Sequence, residues 1–186
     1  MRDPQAGGYL IDLSLHYNVG FTDSWHPGAG TNDLPELRRG ILTLDGVQFD
    51  VRGLIEGVES GFGKKYPTTV AEIAVQRACR RLHFLHAAMD TRGIPRYTDY
   101  PDYWQIGSYV VHYSDGRQQE FRNEEKSPFT VVWSGRNAWS RPQIRTIRLF
   151  KSTWENPDPA VIIRSIDFVT TGPAPARFLV AITAEP

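Results

Sequence analysis

The sequence predicts an all-β fold, an antiparallel β-sandwich or jelly roll, formed by a single domain over residues 1–186. Short β-rich runs recur at fairly even spacing along the chain. Two Asp-Gly pairs stand between such runs, and 16 glycines and 13 prolines punctuate the chain. A domain of 186 residues is also long enough to bury a core without disulfides or metals.

The two Asp-Gly pairs predict two hairpins, because this pair suits the positive φ angles of a type I′ turn. Asp45-Gly46 separates "GILTL" from "VQFDVRGLI", and Asp115-Gly116 separates "GSYVVHYS" from "RQQEF". The other predicted strands are "GYLIDL", "FTVVW", "IRTIRLFKSTW", "AVIIRSIDFV" and "RFLVAIT". In the last run, period-2 alternation predicts that Phe178, Val180 and Ile182 share one face.

The segment "TTVAEIAVQRACRRLHFLHAAMD" is ambiguous between helix and strand. Thr69 and Glu72 have the spacing of a capping box, and apolar residues follow at roughly helical intervals. Periodicity alone therefore leaves both structures open.

The stretch "FKSTWENPDPAVIIRSIDFV" predicts two strands joined by a turn at "ENPDP". Pro157 and Pro159 cannot donate to a ladder, so they end the sheet at this point. Trp154 and Asn156 could either close the end of the sandwich or face a ligand. We favour the structural role, because a tryptophan beside a rigid turn usually caps a core.

Charge and cysteine usage exclude several classes of function. Lys+Arg and Asp+Glu both number 21, so the chain has no electrostatic footprint for nucleic acid or an anionic membrane. Cys79 is the only cysteine, and it is expected to be a buried core residue. The N-terminus lacks the apolar region of a signal peptide, so Met1 could begin a cytoplasmic protein or a piece cut from a longer one.

Several strings resemble a galactose-binding-like (jelly-roll) β-sandwich module of the carbohydrate-binding type. The resemblance covers nearly the whole chain and lies in "YLIDLSLHYN", "LRRGILTLDGVQFDVRGLI", "RRLHFLHAA", "GSYVVHYSDG", "LFKSTWENPDPAVIIRSIDFV" and "FLVAIT". It implies that residues 80–88 form a strand. It also implies secretion or a cell-surface location, a bacterial parent carrying a linked catalytic domain, and a polysaccharide or oligosaccharide as partner.

Three aromatic-rich segments are candidates for the binding site: "NVGFTDSWHPGAGTNDLPEL", "RGIPRYTDYPDYWQIG" and "WSGRNAWSRPQ". Sugar rings have apolar faces that stack on Trp or Tyr, and their hydroxyls need amides, carboxylates and guanidinium groups. We expect at least one of Trp25, Trp104 and Trp139 to be exposed in a groove. The candidate ligand-binding residues are Trp104, Trp139, Trp25, Tyr103, Asn137, Arg136, His26 and Asp33.

A structural Ca²⁺ is a weaker expectation, since modules of the resembled fold often carry one. Asp23, Asn32 and Asp33 are candidate ligands, but they lack the spacing of an EF-hand. His83 and His86 are three residues apart, which on a strand points them to opposite faces and disfavours joint metal ligation. No catalytic motif is found in the sequence.

These observations predict a non-catalytic carbohydrate-binding module of micromolar to millimolar affinity. One alternative is a structural or protein-interaction domain that binds no sugar. A less favoured alternative is a small polysaccharide hydrolase or lyase, which would need a deep cleft with facing acids or clustered histidines.

Overall fold

A computed structural model describes residues 6–23, 33–57, 66–88, 107–122, 130–137, 145–170 and 177–186. These residues form eleven strands and no helix, as the predicted all-β class requires. The strands are β1 (Gly40–Leu44), β2 (Val47–Val51), β3 (Ile55–Gly57), β4 (Thr69–Arg77), β5 (Arg81–Ala88), β6 (Ser108–Tyr113), β7 (Gln118–Arg122), β8 (Thr130–Asn137), β9 (Arg145–Glu155), β10 (Ile163–Val169) and β11 (Arg177–Glu185). No helix in the described residues is long and apolar enough to cross a membrane.

The strands form two large antiparallel sheets and a hairpin. The order is β4-β10-β6-β7 in the four-stranded sheet and β3-β11-β5-β9-β8 in the five-stranded sheet, while β1 and β2 form a separate two-stranded sheet. Apart from the pairs β6-β7 and β8-β9, neighbours in each sheet are distant in the chain, as expected for a sandwich with crossing connections.

Two hydrophobic cores lie on opposite faces of the five-stranded sheet. Along β5, Leu82 and Phe84 pack into the inter-sheet core, between the two large sheets. Leu85 and Ala87, which point to the opposite face, pack into a second core beneath β2 and the N-terminal segments, which we call the hairpin-side core. The five-stranded sheet is therefore covered on both sides, which explains why eight consecutive residues of β11, Arg177 to Ala184, are buried.

The β1–β2 hairpin has the predicted turn, and the β6–β7 hairpin does not. Asp45 (φ 47°) and Gly46 (φ 76°) both adopt positive φ, as in a type I′ turn. In the β6–β7 hairpin Gly116 (φ 91°) has positive φ and Asp115 does not, so the type I′ prediction is wrong there. Four residues, 114 to 117, lie between these strands, and the Tyr113 amide donates a 2.9 Å hydrogen bond to the Arg117 carbonyl across this wider loop.

The ambiguous segment forms two strands, β4 and β5, so the helical alternative is wrong and the predicted strand at residues 80–88 is confirmed. Two β-bulges explain the misleading periodicity of β4. Between the pairs Ile166–Ile73 and Phe168–Val70, β4 advances three residues while β10 advances two. The extra residue gives Val70 and Ile73, which both pack into the inter-sheet core, a helix-like spacing of three.

A bulge also breaks the predicted alternation of β11. Between Leu179 and Ala181, β11 advances two residues against one on β5. Phe178 and Val180 consequently lie in the hairpin-side core, whereas Ile182 lies in the inter-sheet core. The prediction that these three residues share one face is wrong, although all three are buried.

Two further strand predictions need correction at their ends. Among the described residues "GYLIDL" forms a single bridge, from Leu10 to Thr183, and no strand, while "AVIIRSIDFV" becomes a strand at Ile163. The predicted turn after β9 is confirmed, with Asn156 to Ile162 lying outside any strand.

Candidate functional site

One end of the sandwich gathers strand ends of the five-stranded sheet. Arg177, the first residue of β11, pairs with Gly57 at the end of β3 and with Ala88 at the end of β5. On the same side β8 ends and β9 begins, where Asn137 pairs with Arg145.

The four-stranded sheet contributes strand ends to the same place. Ser108, the first residue of β6, pairs with Val169 at the end of β10. The next residue, Thr170, lies so close to Gly57 that a Cβ on this glycine would come within 2.6 Å of its side chain. This end of the sandwich contains strand ends of both sheets, and we call it the loop-bearing end.

Two of the three predicted aromatic-rich segments join strands at the loop-bearing end. Residues 89–106 connect β5 to β6, and residues 138–144 connect β8 to β9. These connections carry the predicted Tyr103, Trp104 and Trp139, whose own positions lie outside the described residues. Aromatic residues far apart in sequence are therefore tethered to one end of the fold.

The other predicted ligand-binding residues are described only in part. Trp25, His26 and Asn32 lie outside the described residues. Arg136 and Asn137 are the last two residues of β8, and only their backbone is described. The expectation that Trp25, Trp104 or Trp139 is exposed in a groove stays a prediction.

The two remaining predicted residues are acidic and lie in the hairpin-side part of the fold. Asp33 is only 6% exposed, and its Oδ1 has no hydrogen-bond partner within the described ranges. Asp23 Oδ2 accepts a 2.6 Å hydrogen bond from the Gly20 amide and closes a turn. The described residues contain no group of three or more His, Cys, Asp or Glu side chains that could hold a metal ion.

A buried carboxylate that the sequence did not reveal lies at the loop-bearing end. Glu56 on β3 is 1% exposed, and the side-chain amide of Asn18 bonds both its backbone N–H and its carbonyl. Burial, together with the Glu56 carboxylate beside it, raises the pKa of the Tyr66 hydroxyl to about 12. The alternation of "VRGLIEGV" gave no reason to expect a buried glutamate, because the strand is too short to show a pattern.

A buried arginine also lies at the loop-bearing end. Arg177 is 3% exposed, and burial lowers the pKa of its guanidinium. Its pairing partner is Gly57, the neighbour of Glu56. Buried charges are rare in a core unless they are paired or serve a function, so this end differs chemically from the rest of the sandwich.

Trp133, within the third aromatic-rich segment, lies on β8 and is half-buried. It packs against the hairpin-side core, and its six-membered ring covers Gly135, so that a Cβ at this glycine would overlap the ring. Absence of a side chain at residue 135 is therefore what lets the indole lie along the strand.

The histidines of β5 have structural partners. His86 is fully buried, its Nδ1 lies 2.8 Å from the Tyr109 hydroxyl, and its Nε2 lies 3.1 Å from Ser152 Oγ. His83 faces the other side, as predicted, with Thr153 Oγ1 at 2.9 Å and Glu185 Oε2 at 2.8 Å. The Ser152–His86 arrangement has the residue types of a nucleophile and base, but a substrate cannot reach either residue.

On the outer face of the four-stranded sheet, His112 Nε2 lies 2.8 Å from Asp167 Oδ2. Asp167 Oδ1 accepts a second hydrogen bond, 2.8 Å, from the backbone amide of Glu72. The aspartate thus links β4, β10 and β6.

Trp154 and Asn156 lie at the end opposite the loop-bearing end and have the structural role that we favoured. Trp154 belongs to the inter-sheet core. The side chain of Asn156 accepts from the Tyr113 hydroxyl at 2.7 Å and donates to the Cys79 carbonyl at 2.8 Å. Cys79 is buried, and burial raises the pKa of its thiol to about 11, which makes it a poor nucleophile.

Comparison of the chain with protein-family models gives no match, and comparison with curated proteins gives none either.

Proposed function

We propose that this chain is a non-catalytic carbohydrate-binding domain with a galactose-binding-like β-sandwich, and that it binds a polysaccharide or oligosaccharide at the loop-bearing end. The observation that carries the proposal is the common attachment of residues 89–106 and 138–144 to this end of the fold. Loops held by a rigid sandwich are the usual position of binding residues.

The binding mode follows from the residue types in these segments. Trp104, Trp139 and Trp25 stack on sugar rings, with Tyr103 beside them. Asn137, Arg136 and His26 supply hydrogen bonds to hydroxyl groups, whereas the burial of Asp33 removes it from the predicted contact residues. Affinity is modest, because a solvent-open site must desolvate every hydroxyl that it contacts.

A binding role also agrees with the chemistry of the described residues. His83, His86 and His112 all bond to neighbouring side chains of the fold. The buried Ser152 and the buried thiol of Cys79 are inaccessible to a polymer.

The test is a screen of plant, algal and host glycans with the purified protein, with and without Ca²⁺, followed by calorimetric titration of any hit. Replacing the principal stacking tryptophan among Trp25, Trp104 and Trp139 with Ala should weaken binding by about 1–3 kcal/mol. Unchanged affinity in all three variants contradicts the stacking mode, and no binding to any glycan contradicts the function.

Tyr9→Ala provides the matched control. Tyr9 is 49% exposed, and its carbonyl bonds the amide of Ala184 near the opposite end of the sandwich. Removing an exposed aromatic ring there should leave glycan affinity unchanged.

A further inference from the structure

Charge is unevenly distributed along this chain, although its net charge is zero. Residues 126–154, which include β8 and all of β9 except Glu155, contain four arginines and two lysines but no aspartate or glutamate. The whole chain has 21 basic and 21 acidic residues. A segment with charge of a single sign creates a local potential, here positive, that attracts anions even in a protein without net charge.

Strand pairing brings arginines of this segment to the loop-bearing end. Arg145 is the first residue of β9, and Arg136 pairs with its neighbour Thr146. Ser134 pairs with Arg148, two residues further along the ladder. Arg136 and Arg148 therefore hold diagonal positions on one face of the β8–β9 ladder, where residues lie about 7–8 Å apart. Two positive charges at this spacing can bind neighbouring anionic groups of one ligand.

The face that carries Arg148 is open to solvent. Ser134 and Arg148, which pair across the ladder, are both exposed. Their neighbours Trp133 and Leu149, which also pair, pack on the opposite side with the hairpin-side core. Arg148 can therefore contact a ligand without any change in the core.

Acidic residues nearby do not cancel the charge of the arginines. Asp45 bonds Lys151 at 2.6 Å, so this ion pair accounts for the lysine of β9. Two connections start at the loop-bearing end with acidic residues of their own: residues 89–106 contain three aspartates and two arginines, and residues 123–129 contain two glutamates and one lysine. Each contributes one net negative charge, against the four arginines of residues 136–148.

We propose that the glycan bound at the loop-bearing end is anionic, and that Arg148 together with Arg136 binds its carboxylate or sulfate groups. The inference rests on the proposed function and adds the class of glycan to it. A planar guanidinium donates two parallel hydrogen bonds to an oxyanion such as a carboxylate. Uronic acids and sulfated sugars carry such groups beside the apolar ring face that stacks on tryptophan. Nucleic acid is the less suitable polyanion, because proteins that bind it usually carry a strongly basic domain, whereas this chain is neutral.

Calorimetric titration with matched acidic and neutral polysaccharides tests the class of glycan. The acidic probes are polygalacturonate, alginate, heparan sulfate and a sulfated galactan, and the neutral probes are the carboxyl-reduced or desulfated forms of the same polymers. At least one acidic probe should bind, and its neutral form should bind at least about 10-fold more weakly. Raising the salt concentration from ~0.05 M to ~0.5 M should weaken the binding of the acidic probe. Which acidic probe binds distinguishes carboxylate from sulfate.

The outcomes separate this inference from the proposed function. A neutral form that binds as tightly as its acidic parent, or a neutral glycan that binds where no acidic probe does, overturns the inference and leaves the proposed function standing. No binding to any glycan contradicts both. A single-stranded dT oligonucleotide that binds as tightly as the best acidic probe would identify nucleic acid as the partner and overturn the inference as well.

Replacement of Arg148 tests the residue itself. Arg148→Gln should keep the fold, because the side chain is exposed, and should raise the Kd of the bound acidic probe by about 2- to 10-fold. Arg148→Lys keeps the charge but not the planar fork, so its Kd should lie between those of Arg148→Gln and the wild-type protein. Arg164→Gln, at an exposed position of β10 in the other sheet, removes the same charge and should leave the Kd unchanged. Equal Kd values for Arg148→Gln and Arg164→Gln would overturn the role of Arg148.

Discussion

His86 is a neutral residue of the inter-sheet core. Burial lowers the pKa of its imidazole to about 3, against 6.5 for the exposed side chain of an unfolded chain. The unfolded state therefore binds one more proton than the folded state between these two values. Folding stability should be unaffected by His86 above pH 6.5 and should decrease as the pH falls below it.

The pH dependence of the unfolding free energy tests this account of His86. Between about pH 6 and pH 4, His86 should contribute a loss of about 1.4 kcal/mol per pH unit. Urea titrations of the wild-type protein and His86→Gln isolate this contribution, because the amide can still bond Tyr109 and Ser152. Asp115 and Glu185, whose lowered pKa values act in the same direction, are common to both proteins. If the unfolding free energy of both proteins changed equally with pH between about pH 6 and pH 4, His86 would not be the source of the pH dependence.

Gly135 is the residue that admits the Trp133 ring. Gly135→Ala should force the indole to move and should lower the free energy of unfolding by about 1–3 kcal/mol. The tryptophan emission spectrum should change as well, because the ring leaves its packed position. Ser134→Ala, at the exposed neighbouring position, should change neither quantity, and an unperturbed Gly135→Ala protein would contradict the packing described.

At the scale of elements, the bulges of β4 change the effect expected from a glycine substitution on the stability of the protein. Glu72 has a φ of 60°, which is unfavourable for any residue with a Cβ. Glu72→Gly should therefore keep or raise stability, by up to about 1 kcal/mol, although glycine usually weakens a strand. Glu72→Val should be destabilising, and thermal denaturation compares the two. A glycine variant less stable than the valine variant would disprove the bulge.

The connection between β9 and β10 depends on Asn156. Asn156→Ala leaves the Tyr113 hydroxyl and the Cys79 carbonyl without their partner, so it should cost about 2–4 kcal/mol. A double-mutant cycle with Tyr113→Phe should show that the two effects are not additive. Full additivity would mean that the 2.7 Å hydrogen bond contributes nothing.

The sequence predicted elements well where turn chemistry or β-rich runs define them locally. Asp45-Gly46 predicted a hairpin with the correct turn, because both positive φ angles follow from these two residues. The β4 segment could not be assigned from periodicity, since a bulge at Glu72 imitates a helical interval. The bulge in β11 has the same origin, since its extra residue is set by pairing with β5. It moves Ile182 to the face opposite the one that the sequence predicted.

At the scale of the whole molecule, the sequence predicted the all-β class but not the covering of the five-stranded sheet on both faces. This arrangement depends on which strands become neighbours, and β11 pairs with β3 and β5 from distant parts of the chain. The common attachment of residues 89–106 and 138–144 to one end has the same origin. The buried Glu56 escaped prediction because only tertiary packing encloses it.

The central claim, that glycan binds at the loop-bearing end, is tested most directly by an NMR titration of the ¹⁵N-labelled protein with an oligosaccharide identified by the glycan screen. Saturable shift changes should concentrate at the amides of Gly57, Ala88, Ser108, Asn137 and Arg177, which mark this end. Amides at the opposite end, such as those of Arg81, Asn156 and Glu185, should not shift. Shifts concentrated at the opposite end or on the outer sheet face would contradict the claim.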